Sequence, residues 1–247
     1  MIVNTRRVFL QLLRALRIDV VCEVGSFGGA DTRRFRRAAP RARIIAFEPH
    51  PENLRRMRAD PSLRDGRVEI SSLAVSNYDG TGQLFAPRHD GRETLQASSL
   101  YGASALREVS SAIPVETSRL DTFLGESLDA RRRLALWIDA VGHSHEVLEG
   151  AAGVAPQVEL LHIQIDSQAC VAPHQKTYPH VRALADRMGL EQIATSAPTE
   201  RPQFHALYVR RELRRRERWA VSTLLAAARG RHLVGRGIRA LAGSLGK

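Results

Sequence analysis

Asp19-Val20-Val21-Cys22-Glu23-Val24-Gly25-Ser26-Phe27-Gly28-Gly29 decides the fold. A short apolar run that breaks into a glycine-rich turn is the pattern of a strand buried on both faces of a parallel sheet. A glycine directly after such a strand lets the backbone turn sharply and approach a ligand closely. The spacing is acidic-x-Gly-x-x-x-Gly. It departs from the G-x-G-x-x-G of dinucleotide-binding folds, because Phe27 occupies the middle glycine position.

Outward from this stretch, strand-like runs alternate with helical ones. Asp31 or Thr32 is placed to cap a helix through Arg33, Phe35 and Arg37, with Pro40 beyond it. Arg43 to Phe47 is a second buried strand, and Pro51 suits the first turn of the helix that follows. Val68 to Val75 reads as a third strand. Asn77 to Gly80 is a turn, Gln83 to Phe85 a short return strand, and Pro87 to Ala112 a long polar loop or lid. Ile113 to Thr117 is extended. Leu134 to Ile138 and Val158 to Ile165 are further strands; His143 to Glu149 and Tyr178 to Met188 are helices closed by Gly150 and Gly189. Leu190 to Ala194 and Phe204 to Val209 form a terminal antiparallel pair. The fold class is therefore α/β, doubly wound and mostly parallel, with ligands expected beyond the carboxyl ends of the strands.

The chain has 247 residues, 43% apolar and 26% charged, enough to bury a full core. From Arg210 to Lys247 ten Arg and one Lys oppose two Glu, a net of +9, which leaves +2 for the other 209 residues. The reading is tripartite: an amphipathic helix over 1–18, a ligand-binding domain over 19–210 and a basic helical extension over 211–247. Arg6, Arg7, Arg14 and Arg17 interrupt the first segment, so it is not a signal peptide, and cytoplasmic residence is expected. Cys22 and Cys170 lie in apolar stretches and read as buried thiols. The tail, with Trp219, Leu224, Leu225 and Leu233 among its arginines, is a candidate for peripheral contact with an anionic membrane. One aromatic residue there is too few for a nucleic-acid stacking platform.

Three carboxylates fall at predicted strand ends. Glu23 would repel a pyrophosphate but suits a cationic ligand. Glu48, 25 residues later, is placed to accept both hydroxyls of a ribose. Asp139 ends the fourth long strand. Together they describe a nucleoside with a ribose and a positively charged tail, the shape of S-adenosyl-L-methionine.

On these residues the sequence resembles the FkbM-type methyltransferases, a class I family acting mostly on oxygens of sugars and natural products, over about Val20 to Arg210. Val21 to Gly29 stands at the family's first cofactor loop, and Ala46-Phe47-Glu48-Pro49-His50-Pro51-Glu52-Asn53 is close to its ribose motif. Leu73 to Ser76 with Asp79-Gly80, Ser118 to Leu124, and Trp137 to Gly142 with Glu146-Val147-Leu148 and Gly150-Ala151 match later segments. The resemblance implies a Rossmann-like methyltransferase fold with a seven-stranded sheet. The implied cofactor contacts are Glu23, Gly25, Ser26, Phe27, Gly29, Thr32, Glu48, Pro49, Asn53, Ala74, Val75 and Asp139. The Ser98 to Tyr101 segment resembles one that lies over the active site. Trp137, Val141 and Ser144 depart from the family, which usually has Lys, Glu and Glu there.

Methyl transfer to a hydroxyl needs an in-line acceptor and a group to take its proton. Asp139, His143 and His145 are the catalytic candidates, the histidines for their suitable pKa. His162 reads as a buried, satisfied histidine, and His174 and His180 as possible acceptor-site walls. A metal is left unassigned. The expected activity is O-methylation of a saccharide, glycolipid or secondary metabolite, with a small-molecule or glycan acceptor and no nucleic acid. The alternatives are a non-catalytic cofactor-binding module and an NAD-dependent oxidoreductase.

Overall fold

The computed structural model describes residues 1–89, 92–93, 98–102, 109–125, 129–213 and 215–244. Its elements in chain order are α1 (Thr5–Ala15), β1 (Val20–Val24), α2 (Ala30–Ala38), β2 (Arg43–Phe47), α3 (Pro51–Ala59), β3 (Val68–Ser71), β4 (Ala74–Ser76), β5 (Gly80–His89), β6 (Arg92–Glu93), β7 (Val109–Arg119), α4 (Leu120–Leu124), β8 (Leu134–Ile138), α5 (Ser144–Glu149), β9 (Val158–Asp166), α6 (Tyr178–Arg187), β10 (Leu190–Thr195), β11 (Gln203–Arg210) and α7 (Arg215–Ser244).

A seven-stranded sheet runs β10-β11-β9-β8-β1-β2-β3. β11 alone is antiparallel to its neighbours, β9 and β10. The strand order reverses between β1 and β8, so a crevice opens at their carboxyl ends. All five residues of β1 and of β8 are buried, as central strands covered on both faces require. On one face α5 and α6 pack against Ile138, Leu161, Ile163 and Tyr208. On the other lies α1, whose stripe of Val8, Phe9, Leu12 and Leu13 is buried. Phe9 meets Phe35 of α2 and Trp137 of β8 edge-on, at 5.6 and 5.2 Å between ring centroids. Each such buried side chain contributes about 1.5–3 kcal/mol. The first half of α7 docks on the same face through Val221 and Ala228. Trp219 stands 71% exposed, and no helix among the described residues is long and apolar enough to cross a membrane.

Three expectations are corrected. Val68 to Val75 is not one strand: the chain breaks at Ser72-Leu73, β3 staying on the large sheet and β4 leaving for a second, four-stranded sheet in the order β4-β7-β5-β6. The long loop begins and ends in strand, because β5 and β7 pair antiparallel from Gly80↔Thr117 to Pro87↔Val109; residues 90–91, 94–97 and 103–108 of that loop lie outside the described residues. Helix α2 is capped by Gly29, at φ 70°, rather than by the side chain of Asp31 or Thr32. Both cysteines are free, Cys22 buried and Cys170 only partly so.

Candidate active site

The turn after β1 is built on three left-handed residues, Gly25, Phe27 and the helix cap Gly29. Gly25 sits at φ 83°, and a Cβ there would lie 2.3 Å from the Asp139 carbonyl oxygen, so the ends of β1 and β8 close together only over glycine. Phe27 adopts φ 49°, uncommon for a residue with a side chain. That conformation aims its N–H at Glu48 Oε2, at 2.7 Å. Glu48 Oε1 accepts His50 N–H at 2.9 Å and Asn53 Nδ2 at 3.3 Å. Charge-assisted bonds of this kind offset the local strain and fix the carboxylate. Burial still pushes Glu48 above its ordinary pKa. Asn53 is 2% exposed, and its Oδ1 has no hydrogen-bond partner.

These groups wall an open cleft whose empty space, its mouth included, is about 620 Å³. Gly25, Phe27, Glu48, Pro49, Asn53, Ala74, Val75, Asp139 and His143 line it. Leu84 of β5, Leu73 just ahead of β4 and Leu100 of the Ser98 to Tyr101 segment close one side. The Ser98 to Tyr101 segment lies across the top. Ser99 pairs its backbone with Phe85, and its hydroxyl donates to the Val141 carbonyl at 2.7 Å. Tyr101 donates to Glu146 Oε1 at 2.6 Å and packs edge-on against His143.

Of the other sequence candidates, Glu23, Ser26, Gly29, Thr32 and His145 are not among the lining residues. Glu23 is 1% exposed and accepts the Thr32 hydroxyl. Burial pushes its pKa up to about 8, and its carboxyl is turned to Thr32 and away from the cleft. Asp139 is raised to about 6, first by burial and then by the charge of Asp31. It remains mostly ionised at neutral pH.

His143 accepts or donates at Nε2 with Ser76 Oγ, 2.9 Å away, while Nδ1 lies 3.8 Å from Glu146 Oε2 without a hydrogen-bond partner. Burial lowers it to about 4, so it is neutral at physiological pH. His145 turns toward His180 of α6, with 6.4 Å between centroids. His174 is exposed beside Tyr101, and Asp166 is held by the side-chain amides of Gln175 and Gln203. Among the described residues no group of three His, Cys, Asp or Glu could hold a metal ion. Leu100 lines the cleft as part of the Ser98 to Tyr101 segment read from the sequence as lying over the site, whereas Leu84 and Glu146, a cleft wall and the partner of Tyr101, carry no local sign of a pocket.

A doubly wound sheet of this order, with its glycine turn and carboxylates at the reversal point, defines the Rossmann-like methyltransferase class. The chain belongs to the FkbM methyltransferase family: the profile of the "Methyltransferase FkbM domain" matches residues 19–205. It is 26% identical over 161 residues to the 2-O-methyltransferase NoeI of Sinorhizobium fredii, covering 60% of this chain and 64% of that protein. Among solved structures it is similar to cofactor-bound Rv0187 from MTB, at TM-score 0.46 and 15% identity over 86% of this chain and 83% of that one. It is also similar to the fibrillarin pre-rRNA processing protein of Methanococcus jannaschii, at TM-score 0.45 and 8% identity over 83% and 75% of the two chains.

Proposed function

We propose that the protein transfers the methyl group of S-adenosyl-L-methionine to a hydroxyl oxygen of a saccharide, glycolipid or secondary metabolite. The observation that carries this reading is the Phe27–Glu48–Asn53 arrangement at the cleft. There a buried carboxylate is fixed by two backbone amides, beside an amide oxygen that lacks a partner. A ribose offers the two hydroxyl donors that such a set accepts. Asp139 is the carboxylate placed to hold an ammonium group. The apolar walls Leu73, Val75, Leu84 and Leu100 suit a flat base.

When bound, the cofactor supplies a methyl carbon already activated by sulfonium. The chain then has to bring an acceptor oxygen into line, exclude water and receive one proton. The lid pinned by Ser99 and Tyr101 covers the cleft. His143 is neutral, and in the tautomer that donates Nε2–H to Ser76, Nδ1 is left as a proton acceptor. Glu146 beside it favours the imidazolium that results. An oxygen acceptor is supported by the likeness to NoeI, a 2-O-methyltransferase. Trp219, exposed near Arg215 and Arg218, supports contact of this helix with an anionic surface.

Calorimetric titration with S-adenosylmethionine and with S-adenosylhomocysteine tests the cofactor. A screen of hydroxylated acceptors, with and without magnesium, tests the transfer. Failure of the folded protein to bind either nucleoside would overturn the reading. Binding with no transfer to any hydroxyl would leave a non-catalytic module.

A further inference from the structure

A second cavity opens at the same edge of the sheet, on the α1 face, lined by Asn4, Thr5, Arg6, His162, Ser196 and His205. Most of its lining residues are polar, whereas most of those of the first cleft are apolar. Its floor is a column of flat rings. Trp137 and His162 stack at 3.7 Å with 3° between planes, and His205 follows at 5.0 Å. Arg6 lies over Trp137, 5.7 Å from the ring centroid.

Two features of this cavity lack a partner from the protein. His162 is 1% exposed; its Nε2 is 3.0 Å from Thr5 Oγ1, and its Nδ1 has no hydrogen-bond partner. A buried polar atom left unpaired is costly, and folded proteins rarely keep one. The cavity also includes the start of α1, an eleven-residue helix whose first-turn amides have no intrahelical acceptor. Arg7 N–H is taken by the Asn4 side chain.

The charges around it favour an anion. Arg6 is the cation lining the cavity, and it pairs with Asp31 at 3.2 Å. Asp31 has a second partner in Arg34, at 2.8 Å. Arg6 can therefore turn to a ligand without leaving Asp31 bare. Asp139 of the first cleft follows Trp137 by two residues, so it continues the face of β8 over which Arg6 lies, and the two sites are neighbours at that strand end.

We propose that this cavity is the acceptor's anion subsite, where Arg6, His162, His205 and the start of α1 hold a carboxylate or phosphate group. The assignment to an acceptor rests on the methyl-transfer reading above. An anion here would anchor the acceptor on the α1 face while its hydroxyl reaches past Asp139 into the first cleft.

The test follows the imidazole resonances by NMR, in protein saturated with S-adenosylhomocysteine at neutral pH. The probes are acetate, glucuronate, inorganic phosphate and glucose 6-phosphate, with glucose as the neutral control. The expected result is a saturable shift of the His162 and His205 signals with a carboxylate or a phosphate and none with glucose. The responding pair of probes identifies which group the site takes. Arg6→Gln, at a half-exposed side chain, should weaken that response by about tenfold or more. Absence of any saturable shift, equal binding by Arg6→Gln, or an equal response to glucose would overturn the site. If S-adenosylhomocysteine binds and the anions do not, the subsite falls and the methyl-transfer reading stands. If the anions bind through Arg6 but the nucleoside does not, the anion site stands and its assignment to an acceptor falls.

Discussion

Replacing Glu48 by alanine separates the two duties this carboxylate performs. In the free protein it holds Phe27 N–H at 2.7 Å and His50 N–H at 2.9 Å. Removing it leaves a left-handed Phe27, a conformation worth about 1–3 kcal/mol of strain, without the contact that offsets it. Because the cleft admits water, the freed amides rehydrate, and the stability loss should stay near 1–2 kcal/mol. For a chain of this size that lowers Tm by about 2–8 °C. In the bound protein a hydrogen bond to a charged group is also lost, about 1.5–3 kcal/mol, or roughly 10- to 150-fold in Kd. Calorimetry with S-adenosylhomocysteine reads the second term and thermal melting the first. Adenosine against 2′,3′-dideoxyadenosine isolates the ribose contact. The wild type should prefer adenosine, and Glu48→Ala should lose that preference. Glu52→Ala, four residues on and paired only with Arg55 and Arg56 on the surface, should change neither. A folded Glu48→Ala protein whose affinity and ribose preference match the wild type would refute the placement of the nucleoside.

Three further outcomes are expected. Burial raises Glu23 from 4.5 to about 8, so between those values the folded chain keeps a proton that the unfolded chain has released. Its contribution to stability is therefore lost as pH rises through that window. Glu23→Gln should gain on the wild type in urea melts between pH 5 and pH 9, and a difference independent of pH would count against the buried acid. Because His143 is lowered to about 4, kcat/KM should keep its histidine-dependent acid limb near that pH. His143→Ala should slow turnover by roughly 100-fold or more at little cost in cofactor affinity; an acid limb near 6.5 that survives the substitution would remove His143 from the mechanism. Gly25→Ala would bring a Cβ to 2.3 Å from the Asp139 carbonyl, whereas a Cβ at Gly28 meets nothing within 4 Å. Nucleoside binding should be lost in the first variant and kept in Gly28→Ala.

The parallel core was legible because its strands are buried on both faces and so stand out as short apolar runs. Val20–Val24, Arg43–Phe47 and Leu134–Ile138 all lie where their composition puts them. The second sheet was legible only in part: the return strand at Gln83 to Phe85 and the extended Ile113 to Thr117 lie inside β5 and β7, but the full length of the pair was not read. The flanks of its long hairpin are mixed in polarity, and Pro87 and Pro114 argue against strand, though each stands in one. The lid contact from Tyr101 to Glu146 and the bond from Thr5 to His162 join residues 45 and 157 apart. No local pattern announces such pairs. They exist because α1 and the lid segment happen to cover the strand ends.

The three strand-end carboxylates are the instructive case, since sequence alone treats them alike. β1 pairs in register with both neighbours, Val24 standing opposite Phe47 and opposite Ile138. The next position on each strand is therefore equivalent: Gly25, Glu48 and Asp139. These three positions sit past the last ladder residue and line the cleft. Glu23 is one step short of Val24 and beside Trp137, so it points onto the α1 face and is sealed against Thr32. Glu23 stands one residue before the last apolar position and Glu48 and Asp139 one residue after it, a difference of two, so the distance past the strand end and not the face decides whether a carboxylate meets the cleft or the core. That register was present in the runs VVCEV-G, RIIAF-E and LALWI-D. Aligned on their final apolar residues, they assign Glu48 and Asp139 to the cleft and Glu23 to the interior.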